Sequence, residues 1–317
     1  MLHTAKPEYK LVPLCKLFGV SRQAFYQRKD FDFESEQFKC CILEYVREIR
    51  KEAPRSGCQK LYVMCGNFFG EDFRLGRDAF YHLLHDSGLM IRIRHRHTRT
   101  TNSFHNYRLY PNLIRGYIPT TPNQLWVSDI TYIPLSVRFC FLSLVTDAYT
   151  HEIIGWVLAP TLEYKYTQQA LQNAIDYVDA DLNGLIHHSD RGVQYAYDLY
   201  INLLKSNGIK ISMTENGDPL ENAIAERVNG ILKQEWLNQY SFQTINDVRP
   251  VVEKIIEYYN TQRPHASINM MTPREARQKS GALKKHWKNK YAKKLELTEL
   301  NANFVYDNRT MGNVVPL

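Results

Sequence analysis

No stretch of this 317-residue chain approaches the roughly 18 consecutive apolar residues that a membrane-spanning helix needs. No helical membrane span is therefore expected. The segment MLHTAKPEYKLVPLC carries an acid and prolines and lacks the apolar core of a signal peptide. Cysteine is sparse. Cys15, Cys40, Cys41, Cys58, Cys65 and Cys140 are scattered, and none form a CxxC pair. That excludes a disulfide framework and points to a reducing compartment. There is no HxxxH…CxxC arrangement to suggest zinc, no repeat of about 20–50 residues and no low-complexity tract. The most local absence is of negative charge. From Ser87 to Ser128 there is no Asp or Glu, yet Arg92, Arg94, Arg96, Arg99, Arg108 and Arg115 all lie there, with Tyr107, Tyr110 and Tyr117 among them.

What is present follows the same segregation. The chain carries a formal net charge of +7. Residues 1–123 hold 20 Lys and Arg against 12 Asp and Glu, residues 124–276 hold 11 against 18, and residues 277–317 hold 9 against 3. An acidic middle is flanked by basic arms. Basic surface with interleaved aromatics suits a nucleic-acid backbone, and planar guanidinium groups fork onto phosphate. A solvated linker has the same composition, and both readings stay open for residues 91–123.

Within the acidic middle, three carboxylates stand out. LWVSDITYI (Leu125–Ile133) has strand composition, and Asp129 falls on its apolar side, where a lone carboxylate requires a partner or a cation. Asp190 comes just past a short apolar strand, Gly184–His188. Glu226 lies on a helix read over Asp218–Trp236, opposite the apolar face of Ile224, Val228, Ile231 and Leu232. Lys233 returns to nearly the same azimuth seven residues on, with Asn222 and Asn229 flanking. Sixty residues separate Asp129 from Asp190, and 35 separate Asp190 from Glu226. Three converging carboxylates repel unless cations lie between them. Hard oxygen donors suit Mg²⁺ or Mn²⁺, and two such ions support phosphoryl transfer.

The motifs in order are Trp126 with Asp129-Ile130-Thr131, His188-Ser189-Asp190-Arg191-Gly192 with Gln194-Tyr195, Ser212-Met213, Gly217, Pro219, Asn222-Ala223, Glu226, Tyr259-Asn260, Arg263-Pro264-His265 and Thr272-Pro273. Together they resemble the OrfB-type transposases of bacterial insertion sequences, the third-numbered family, whose core is similar to retroviral integrases. Glu221 departs from the Asp that such proteins usually carry before the Asn. The resemblance implies a DDE triad of Asp129, Asp190 and Glu226 holding Mg²⁺ or Mn²⁺, two ions in all. It implies that Lys233, Asn222 and Arg191 position DNA. It implies metal-dependent 3′-end cleavage and strand transfer on double-stranded DNA, element ends and target alike, by a homo-oligomer assembled on DNA in the bacterial cytoplasm at the nucleoid. An upstream reading frame is expected as a DNA-binding partner or fusion. The alternatives are a non-catalytic repressor derived from a transposase and an RNase H-like nuclease.

The expected fold class is α/β. Three antiparallel strands (Leu125–Ile133, Arg138–Asp147, His151–Leu158) are followed by helix Thr167–Tyr177, strand Gly184–His188, helix Tyr197–Asn207 and strand Ile209–Ser212. That order gives an RNase H-like, integrase-type domain with a mixed five-stranded sheet, preceded by small helical DNA-binding segments. The expected divisions are a partial helix-turn-helix at 1–36, a helical bundle resembling another at 37–90, a basic linker at 91–123, the catalytic core at 124–276 and a basic tail at 277–317. Leu11–Lys29 reads as helix, Gly19 turn and a second helix capped by Ser21, which would offer Arg22 and Arg28 to DNA. A purely structural hairpin has the same pattern. Asp147 reads as a turn residue and His265 as a positioning or structural residue.

Overall fold

The computed structural model describes residues 10–91, 108–215 and 219–286. The chain divides into two compact units. One draws on Met1–Asn102, Tyr132–Cys140 and Arg227–Tyr258, the other on Ser103–Thr131, Phe141–Glu226 and Tyr259–Leu317.

The first unit begins with α1 (Leu11–Leu17), α2 (Arg22–Glu52), α3 (Cys58–Phe69) and α4 (Arg77–Asp86). Ser21 caps α2 by accepting from the Ala24 N–H at 3.0 Å. One helix thus runs from the second helix of the expected helix-turn-helix into the bundle expected at 37–90, so the expected division at 36/37 lies inside α2. The reason is compositional: between Arg22 and Glu52 there is neither Gly nor Pro to break it. Ile42, Val46 and Ile49 of α2 recur at helical spacing and pack with Leu61, Cys65, Phe80 and Leu84. Later chain is fastened to the end of α2 and the start of α3: Trp236 donates its Nε1–H to the Glu52 carbonyl at 2.8 Å, and Lys60 pairs with Glu235 at 2.9 Å.

The sheet has five strands: β1 (Leu125–Pro134), β2 (Phe139–Asp147), β3 (Ile153–Ala159), β4 (Ile186–Ser189) and β5 (Lys210–Met213). Their spatial order is β3-β2-β1-β4-β5. β2 and β3 are antiparallel, whereas β1–β4 and β4–β5 are parallel, the mixed sheet expected. Helices α5 (Tyr164–Val178), α6 (Val193–Ala196) and α7 (Asp198–Ser206) follow β3 and β4. After β5 come α8 (Ala223–Glu235), α9 (Ile245–Thr261) and α10 (Pro273–Ala276). No described helix is long and apolar enough to cross a membrane.

β1 is central, so it is buried on both faces. Trp126 joins Leu171 and Ala174 of α5 and Leu204 of α7 on one side. On the other, Leu125 and Val127 meet Ala148 and Ala225. β3 and α5 approach so closely at Gly155 that a Cβ there would lie 2.3 Å from the Ala170 carbonyl oxygen. Asp147 closes the β2–β3 turn. It is 2% exposed and accepts from the N–H groups of Asn123, Tyr149 and Thr150 at 2.7, 3.0 and 2.8 Å. Burial raises its pKa against those bonds.

Candidate active site

The parallel pairing of β1 with β4 sets the site. Val127 is in register with His188. Two residues beyond this pair stand Asp129, within β1, and Asp190, the first residue after β4 ends. Neighbouring strands lie about 4.8 Å apart and alternate residues share a face, so the two aspartates come out side by side where β4 ends. Both are half-buried. Each is oriented by main chain: Asp129 Oδ1 accepts from the Ile130 N–H at 2.9 Å and Asp190 Oδ1 from the Gly192 N–H at 3.0 Å. A Cβ at Gly192 would lie 3.0 Å from Asp190 Oδ1 and 3.0 Å from Gln194 Oε1, so a side chain there would press on the Asp190 carboxylate.

The third acid arrives on α8. A turn, Pro219–Asn222, precedes the helix, and Asn222 Nδ2 donates to the Ser128 carbonyl at 3.1 Å. The helix start is thereby clipped to β1 at the residue before Asp129. Ile224 and Ala225 pack against Leu125 and Val127, and Glu226, one turn beyond Asn222, is exposed. Among the described residues no three His, Cys, Asp or Glu side chains form a metal-holding group. The parallel register leads Asp129 and Asp190 out of adjacent strands, and Glu226 follows one turn after the Asn222 contact with β1, but the three acids do not close on one point.

The other residues singled out from sequence differ in their local settings. Asn222 is 6% exposed, so its amide serves the helix clip rather than open surface. Arg191 and Lys233 are half-buried, and Lys233 Nζ sits 4.4 Å from the centroid of the Tyr132 ring. Arg22 and Arg28 are exposed on α2 and lean over Tyr26 and Phe31 of the same helix. Arg92, Arg94, Arg96 and Arg99 lie outside the described residues. His265 is buried between Arg263, whose Nη1 is 2.9 Å from its Nε2, and the rings of Tyr259 and His151.

A buried polar layer beneath the aspartates is not legible in the motif spacing. His187 Nε2 lies 2.7 Å from Ser128 Oγ and 2.9 Å from Tyr200 Oη, and His188 Nδ1 lies 2.8 Å from Ser212 Oγ. Burial pushes the His187 pKa down to about 3, and burial with the charges of Lys285 and Arg263 pushes that of His151 to about 4. An unfolded histidine titrates near 6.5. Between the two values the unfolded chain binds protons that the folded chain refuses, so stability is complete above about pH 6.5 and falls as pH drops towards 4. At pH 5 the expected loss is roughly 2 kcal/mol for each such histidine. Urea midpoints at pH 7 and pH 5 check this; equal midpoints would show that these histidines are not held neutral.

The arrangement of sheet, paired aspartates and helix-borne glutamate defines an integrase-type core. Two family models, each described as "Integrase core domain", match residues 119–219 and 207–273. The chain is 33% identical over 272 residues to the insertion element IS600 uncharacterized 31 kDa protein of Shigella sonnei, covering 84% of this chain and 98% of that protein. It is 26% identical over 290 residues to the transposase for insertion sequence element IS629 of Shigella sonnei, covering 87% and 94%. Among solved structures it is similar to the HTLV-2 integrase catalytic core domain in complex with magnesium, at 19% identity and a TM-score of 0.39, covering 50% of this chain and 98% of that one. The chain belongs to the insertion-sequence transposases, enzymes with an integrase core.

Proposed function

We propose that the chain cuts and joins DNA through Asp129, Asp190 and Glu226, freeing a 3′-OH at the element end and passing that hydroxyl to a second phosphodiester. The observation that supports this reading is the parallel register of β1 and β4, which pairs Val127 with His188 two residues before Asp129 and Asp190, with the start of α8 clipped to Ser128. In the first step a water oxygen bonds to phosphorus, the 3′ oxygen leaves and takes up a proton. In the second the freed 3′ oxygen bonds to a target phosphorus and the target's own 3′ oxygen leaves. Both are in-line displacements that need no covalent protein intermediate.

The donor set fits a hard divalent cation: carboxylate oxygens only, two of the side chains on adjacent strands and each oriented by a main-chain N–H. Asp129, Asp190 and Glu226 would hold Mg²⁺ or Mn²⁺, which when bound offsets charge on the attacking and leaving oxygens. The protein's own part is orientation. The Ile130 and Gly192 N–H groups fix the aspartates, and Asn222 fixes where α8 begins. Lys233 and Arg191 would hold DNA phosphates, and the basic segments carrying Arg22, Arg28 and Arg92–Arg99 would grip flanking duplex. Joining two ends to one target requires an assembly of more than one copy on DNA, with an upstream-encoded partner where one exists. The division into DNA-binding segments at 1–90, linker at 91–123, core at 124–276 and tail at 277–317 belongs to the same proposal.

Chelation of divalent cations is expected to abolish cleavage and leave a gel-shift complex with end DNA. Asp190→Asn should behave as chelation does. Cleavage that survives both treatments would remove the carboxylate–metal reading.

A further inference from the structure

The turn between β1 and β2 presents an apolar and aromatic surface that has no part in the chemistry proposed above. Val137 is 95% exposed and Phe139 50%, with Arg138 exposed between them. The Phe139 ring meets the Tyr132 ring of β1 edge-on, with centroids 5.5 Å apart. Over Tyr132 sits the Lys233 ammonium, 4.4 Å from the ring centroid. An exposed phenyl ring is thereby backed by a tyrosine ring that carries an ammonium, with a guanidinium next to it in the chain. Between Asp129 and Asp147 there is no Asp or Glu.

The turn is braced in this position. The Leu135 N–H donates to the Arg138 carbonyl at 2.7 Å and closes it. Ser136 donates from its N–H to the Phe242 carbonyl at 3.0 Å and from its hydroxyl to Gln243 Oε1 at 2.8 Å. Held in this way, the tip keeps Val137 and Phe139 in water. Fully burying a Phe side chain is worth roughly 1.5–3 kcal/mol, and about half of that is forgone at Phe139. Single exposed apolar residues are ordinary, but this pair stands with a second ring and two cations.

A ligand that complements this surface has a flat ring joined to an anion. An unpaired nucleotide has both: its base can stack on a phenyl ring while its phosphate meets a cation. A base inside a duplex has its faces already covered. A second copy of the chain fits poorly, because Arg138 is the one charged residue between Asp129 and Asp147, and two such tips brought together would set like charges against each other. Tyr132 follows Asp129 by three residues on β1, and Lys233 follows Glu226 by seven on α8, so the elements bearing two of the acids also build this surface.

We infer that the β1–β2 turn is a binding site for an unpaired nucleotide of the DNA, its base stacked on Phe139 and its phosphate held by Lys233 and Arg138. This rests on the DNA-cutting reading above and adds to it that an end with unpaired bases is held more tightly than a fully paired one.

The test uses the full chain and two DNA probes of the same sequence, one a blunt duplex and one with a short single-stranded end carrying iodouridine at an unpaired position. Long-wave ultraviolet light cross-links iodouridine to an aromatic ring stacked on it, and peptide mass spectrometry locates the bond. The expected site is Phe139. Fluorescence anisotropy gives the affinity for each probe. Phe139→Ala is expected to weaken binding of the single-stranded end about tenfold, the worth of one base–aromatic stack, and to leave blunt-duplex binding unchanged. Phe139→Tyr keeps a ring and should keep the preference. A cross-link at another residue, or an undiminished preference in Phe139→Ala, overturns the inference. So does a Phe139→Ala variant that binds both probes normally but loses self-association by light scattering, which would assign the turn to a protein contact. If the unaltered chain binds neither probe, the DNA-cutting reading itself fails. If it binds both equally, only the role given to the turn fails.

Discussion

Glu226→Gln is expected to lower strand transfer by on the order of 10³ while changing DNA affinity by less than about twofold. The size follows from what the change removes. Gln has the shape of Glu but no charge, and a carboxylate that offsets cation charge at the reacting phosphate has no neutral substitute. The separation of the two effects follows from where Glu226 sits. It is exposed in the first turn of α8, while the neighbours that dock that helix are Ile224, Ala225 and Val228. Folding and the Asn222 clip are left as they are, and no basic side chain is altered. Strand-transfer assays on pre-cut ends and gel shifts on the same DNA check both halves. Full activity in the variant would show that Glu226 is not the third acid.

The second large effect is on folding. Gly155→Val is expected to destabilise the second unit by about 3 kcal/mol or more, with loss of soluble protein as the practical outcome. A Cβ at residue 155 would lie 2.3 Å from the Ala170 carbonyl oxygen, 2.7 Å from the Ala174 Cβ and 2.8 Å from the Ala174 nitrogen. Two of these are backbone atoms of α5 and cannot swing aside. To admit the side chain, α5 must lift from β3, and with it Leu171 and Ala174, which pack on Trp126 of β1. The strand that carries Asp129 would thus lose its cover from 155 outward. Denaturant midpoints of Gly155→Ala and Gly155→Val should fall in that order; wild-type stability in the valine variant would mean that the contact is looser than drawn.

The strands were legible because their composition is local information. Leu125–Ile133, Arg138–Asp147 and Ile209–Ser212 each fall within two residues of the observed strand ends. Asp129 was legible because a carboxylate among Leu125, Val127 and Ile133 breaks the pattern. What sequence could not carry was non-local. That β4 lies beside β1, in a register that sets Asp190 against Asp129, depends on how the chain crosses over through α5, and the 60-residue gap says nothing of it. The resemblance gave Asn222 a place near DNA, whereas its hydrogen bond to the Ser128 carbonyl, made from the turn at Pro219–Asn222, depends on tertiary packing that sequence does not carry. The expected division at 36/37 fell inside α2, where the absence of any Gly or Pro lets one helix run on.

The central claim is that this chain cuts and joins DNA through its three carboxylates. It is tested most directly by incubating the purified chain, and Glu226→Gln beside it, with the DNA that flanks its own gene and Mg²⁺, and mapping products at nucleotide resolution. The expected result is cuts leaving a 3′-OH at two fixed boundaries and joined products from those ends, all absent in the variant. Cuts that persist unchanged in the variant, or binding at those boundaries with no cut even when any upstream-encoded partner is supplied, would contradict the claim.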